Sequence, residues 1–128
     1  MRTSVVTRYT PEDLLAMPDG KSYELVKGEL VERNMGAESS WIGGALHALL
    51  FLYCQAHRLG IVWPADNGYD CFPHAPGRVR KPDVSFIRSG RLPGDRLPKG
   101  WAKIPPDLVV EVVSPNEPAE QLEDQFDD

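Results

Sequence analysis

In Pro106-Asp107-Leu108-Val109-Val110-Glu111-Val112-Val113-Ser114-Pro115, prolines bracket a run of leucine and valines that a single acid, Glu111, interrupts. β-Branched residues at this density, bounded by proline, predict a strand. A carboxylate inside such a run is costly to bury unless it is paired or bound to a cation. A second run, Lys81-Pro82-Asp83-Val84-Ser85-Phe86-Ile87, sets another acid at the head of an apolar strand. Two acids on neighbouring strands, at one end of a sheet, point to a shared metal ion. The alternatives are local: Asp83 as a turn cap after Pro82, and Glu111 as an acid with a structural partner.

Working outward, the pattern predicts a chain of alternating element types. Thr10-Pro11-Glu12-Asp13 is a helix start, with an N-cap threonine, proline at N1 and acids in the first turn. Pro18-Asp19-Gly20 ends that helix early. Tyr23-Glu24-Leu25-Val26 and Glu29-Leu30-Val31-Glu32 flank Lys27-Gly28 and predict a β-hairpin. From Glu38 to Arg58 the apolar residues Trp41, Ile42, Ala45, Leu49, Leu52, Tyr53 and Ala56 recur at helical steps, with Gly60 expected as the stop. The stretch from Trp41 to Cys54 is too short for a membrane span and is expected to be a buried helix. Ile61-Val62-Trp63 and Tyr69-Asp70-Cys71-Phe72 are expected as short strands around a turn at Asp66-Asn67-Gly68. A proline- and glycine-rich loop runs from Gly90 to Pro106, and Pro118-Ala119-Glu120 reads as a further helix start.

At 128 residues the chain is expected to form one domain, residues 1–128, with an ordinary globular composition of 41% hydrophobic and 26% charged residues. The net charge of −5 argues against indiscriminate nucleic-acid binding through the overall field. Its distribution is uneven: between Arg78 and Lys103 stand eight basic residues against two acids, Asp83 and Asp95. Arg78, Arg80 and Lys81 in this segment are candidates for contacts to a polyanion. Read without a ligand, the same segment is a solvated loop. Met1 to Thr10 has arginines but no apolar core, so no secretory signal is expected. Cys54 and Cys71 lack a CxxC spacing, and a reduced, cytoplasmic pair is the simpler expectation.

Taken together, Tyr23-Glu24-Leu25-Val26 with Gly28-Glu29-Leu30-Val31, the Pro82-Asp83 run and the Glu111 run with its trailing Ser114-Pro115 resemble the bacterial restriction-endonuclease-like domain family. That family belongs to the PD-(D/E)xK nuclease superfamily, and the resemblance spans about Thr10 to Asp128. It implies an α/β fold: a mixed sheet flanked by helices, preceded by the N-terminal helix and hairpin. It implies phosphodiester hydrolysis of DNA at a divalent-metal site. Asp83 matches the aspartate of the PD element, Glu111 the acid of the (D/E)xK element, and Glu24 the early glutamate that supports metal or water. Mg²⁺ or Mn²⁺ suits such carboxylate ligands, and the carbonyl of Val112 or Val113 is a further candidate ligand. Two departures weaken the expected activity. Val113 occupies the usual lysine position, and Gln125 stands at the best-matching position of the next helix. The chain is also expected to lack the family's final helix or strand. The resulting expectation is a weak or inactive endonuclease; the alternative is a non-catalytic nuclease-like module that binds nucleic acid or a protein partner. An unpaired sheet edge would favour a dimer.

The remaining chemistry-bearing residues read as structural. His47, His57 and His74 have no ligand-like spacing, the three tryptophans suit a core or an interface, and Ser114 lacks a GxSxG setting.

Overall fold

A computed structural model describes residues 8–33 and 36–113. Its contacts divide into two compact units. The first comprises residues up to 34, residues 68–81 and residues 98–105; the second comprises residues 35–67, 82–97 and those from 106 onward. The helix start expected at Pro118 lies outside the described residues.

In the first unit, α1 (Pro11–Ala16) opens with a reciprocal cap. The Asp13 N–H donates to Thr10 Oγ1 (3.1 Å) and the Thr10 N–H to Asp13 Oδ2 (2.8 Å), satisfying two donors that a helix start leaves unpaired. β1 (Tyr23–Val26) and β2 (Glu29–Glu32) pair antiparallel, with Glu24 opposite Val31. Lys27 and Gly28 make the connection with positive φ at both positions (53° and 78°), the backbone of a two-residue hairpin turn. On the other side of β1, Leu25 and Val79 exchange both backbone bonds, at 2.9 and 2.8 Å. Leu14, Leu25 and Val79 form the core, with Tyr9, Met17, Tyr23, Leu30 and Trp101 packed around it.

The strand expected over Tyr69 to Phe72 is present only as isolated bridges from Tyr69 to Arg80 and to Ala102. The Tyr69 N–H donates to Arg80 O and the next N–H, of Asp70, to Ala102 O. Consecutive residues thus pair with different partners, and no ladder propagates.

In the second unit, α2 (Ala37–His57) is followed by β3 (Gly60–Trp63), β4 (Val84–Arg88) and β5 (Leu108–Val110). The three strands form an antiparallel sheet in the order β3-β4-β5. The helix stops at Arg58, not Gly60: Arg58 is left-handed (φ 54°), and the Leu59 N–H returns to Cys54 O at 3.0 Å. Gly60 instead opens β3 at φ 155°, where an added Cβ would lie 2.3 Å from Ile87 O. Cys54, Val62 and Val84 are buried together, flanked by Leu46, Leu50, Phe86 and Val110. One side of α2 therefore covers the face of the sheet that carries Val62, Val84 and Phe86. The rest of α2 departs from the buried helix expected from its composition, since Trp41, Leu49, Leu52 and Tyr53 are exposed. All strand-to-strand pairings among the described residues are antiparallel.

Candidate metal centre

Val84 pairs with Val110 and Ser85 with Val109, so β4 and β5 run in a defined antiparallel register. Asp83 immediately precedes β4 and Glu111 immediately follows β5, so each adjoins the Val84–Val110 pair that closes the ladder. Alternation along β4 puts Ser85 and Ile87 on the face away from Val84 and Phe86 and hence away from α2. Both acids therefore adjoin the same end of the β4–β5 pair.

Two clamps hold this register. At the acid end, the Val112 N–H donates to Asp83 Oδ2 at 2.6 Å. Asp83 is 7% exposed, and the bond fixes its carboxylate at a position where free rotation is already restricted. At the opposite end, Asp107 Oδ2 accepts from the Arg88 N–H (2.8 Å) and from the Arg91 guanidinium (2.9 Å). The Asp107 N–H donates to Phe86 O at 2.8 Å. The Arg88 N–H, then Arg91, holds the Asp107 carboxyl below the usual aspartate range. Nothing in the sequence distinguished Asp107 from a turn residue; the signal lies in its pairing with an arginine sixteen positions earlier.

Glu24 belongs to the first unit. It is half-buried on β1, its Oε2 accepts from the Lys81 N–H (2.6 Å), and its Oε1 lies 3.9 Å from an Arg80 guanidinium nitrogen. The three basic candidates differ sharply. Arg78 is half-buried, with its guanidinium carbon 5.8 Å from the Phe72 ring centroid. Arg80 faces Glu24. Lys81 departs from the expected phosphate contact: it is 2% exposed, its Nζ donates to Gly20 O at 2.7 Å, and it lies 5.2 Å from the Trp101 ring centroid. Its ammonium is an interior anchor of the first unit. The basic segment is further neutralised by Lys103 on Asp70 (2.6 Å) and Arg91 on Asp107 (2.9 Å).

Among the described residues no group of three or more His, Cys, Asp and Glu side chains could hold a metal ion. A carboxylate pair still fits one class of ion. Mg²⁺ retains several waters and is commonly held by one or two carboxylates, and Mn²⁺ takes a similar oxygen set. Zn²⁺ prefers thiolate and imidazole ligands, which this sheet end does not offer. Carboxylates such as those of Asp83 and Glu111 are donors of the kind that Mg²⁺ and Mn²⁺ take.

The family model described as "Uma2: Putative restriction endonuclease" matches residues 11–128. No curated protein matches the chain. Among solved structures, the chain is similar to the crystal structure of "a putative nuclease belonging to DUF820" from Anabaena variabilis ATCC 29413. The TM-score is 0.67 at 19% identity, over 90% of this chain and 64% of that one, which shows a shared fold. The chain thus spans under two thirds of the length of that structure.

Proposed function

Because the chain belongs to the Uma2 family, we propose that it is a nuclease domain in which Asp83 and Glu111 together hold one Mg²⁺ or Mn²⁺ and DNA is the substrate. The observation that supports this reading is the β4–β5 pairing, whose last pair, Val84 and Val110, adjoins Asp83 and Glu111 in the chain. When bound, the ion would supply charge stabilisation at a scissile phosphate and a bound water of lowered pKa. Asp83 and Glu111 contribute the anionic ligands, and the carbonyl of Val112 is a further ligand candidate. The Val112 N–H keeps the Asp83 carboxylate in one orientation, the role an outer hydrogen bond plays at a metal ligand. Glu24 assists, in the part the family resemblance gives it. Arg78 and Arg80 neutralise substrate phosphates, with Lys81 supporting them as a buried anchor.

Val113, in place of the superfamily lysine, provides no ammonium to orient or activate the attacking water. Losing general acid–base help slows a reaction by roughly 10²- to 10⁴-fold. This residue favours a second reading, a non-catalytic nuclease-like module that binds nucleic acid or a protein partner. No helix among the described residues is long and apolar enough to cross a membrane. Cys54 and Cys71 are free thiols, which supports a reducing, cytoplasmic setting.

Plasmid nicking separates the two readings. Cleavage in Mn²⁺ that EDTA and Asp83→Asn both abolish supports the enzyme. Plasmid binding and Mn²⁺ binding without nicking support the module.

A further inference from the structure

We propose that the outward face of α2 is a homodimer interface, on which α2 of a second copy of this chain packs antiparallel. The inference does not rest on the metal reading. Gly43 and Cys54 are the buried residues of the helix and mark its inward side. Diametrically opposite, at helical spacing, run Glu38, Trp41, Ala45, Ala48, Leu49, Leu52 and Ala56. Trp41 is 74% exposed, Leu49 67% and Leu52 66%, and Tyr53 beside them 57%. A contiguous apolar surface of this kind marks an interaction site.

The occupant follows from the order of sizes along the stripe. In one antiparallel register, Trp41 faces Ala56 of the second copy, Leu52 faces Ala45 and Leu49 faces Ala48. Every large side chain meets an alanine, so the face is complementary to itself, as a two-fold interface requires. The same register brings the Glu38 end of one helix beside the His57–Arg58 end of the other, matching charges and opposing the helix dipoles. The residues after Val113 are a poorer match: they are acidic, with Leu122 and Phe126 as their large apolar side chains.

The test is the mass of the full chain by sedimentation equilibrium at tens of micromolar. Wild type is expected as a dimer. Leu52→Glu and Ala56→Trp, both at exposed positions, are expected as monomers with unchanged circular dichroism. The size swap Trp41→Ala/Ala56→Trp should restore the dimer. A monomeric wild type overturns the proposal, including the case in which removing residues 114–128 then creates a dimer, since the tail would be the occupant. A dimer that survives Leu52→Glu overturns it as well and assigns association to another surface, such as the β5 edge. Failure of the swap to restore the dimer overturns the antiparallel register.

Discussion

Asp83 and Lys81 stand two positions apart, yet their side chains have opposite tasks. Asp83 keeps a carboxylate at a sheet end with one oxygen tied to Val112. Lys81 buries its ammonium against Gly20 O and the face of Trp101. Removing that anchor leaves a cavity and an interior carbonyl short of a donor. Lys81→Ala should therefore destabilise the fold by about 2–4 kcal/mol, read from urea unfolding. Arg80→Ala, which takes away the guanidinium facing the mostly buried Glu24 carboxylate, should also destabilise the fold in the same assay. If Arg80 contacts a phosphate, the same substitution should reduce the salt dependence of DNA binding by about one unit of slope. The acids were legible in sequence because a charge inside an apolar run is conspicuous. The burial of Lys81 was not, because its partners lie far away in the chain and its neighbours are a charged arginine and a proline.

At the scale of elements, the β4–β5 pair depends on clamps at both ends. Asp107 is held below the ordinary aspartate pKa, so its stabilising effect is present above the unfolded value of about 3.9 and is lost as pH falls through the lower folded value. The stability difference between wild type and Asp107→Asn should be steady near neutral pH, begin to shrink below about pH 4 and vanish below the lower folded value. A difference that persists unchanged at pH 2 would mean the carboxylate charge is not what holds the clamp. Gly60→Ala should weaken β3–β4 pairing, since its Cβ would meet Ile87 O and Arg88 Cα. A cost of about 1–3 kcal/mol is expected from denaturant midpoints. The hairpin and α1 were readable from local chemistry: a two-residue turn with glycine, and a threonine cap with proline behind it. The strand at Tyr69 was misread because its alternation is local while its pairing is not. In α2 the helical period was clear but the buried side was not, since apolar residues surround the axis and only the packing against β3 and β4 selects one face.

For the whole molecule, the family was legible in a few strings of residues, because the acids of those strings sit at strand ends that the fold defines. That the strands next to Asp83 and Glu111 pair with each other needed the structure, as periodicity alone does not say which strands are neighbours. Net charge was a poor guide to the basic segment, where Lys81 is buried and Lys103 and Arg91 are paired to acids. The measurement that bears most directly on the account is calorimetric titration of Mn²⁺ into wild type and Glu111→Ala, both checked for folding. The account predicts one carboxylate-dependent site in wild type and its loss in Glu111→Ala. Equal heats in the two proteins, or no binding in either, would contradict it.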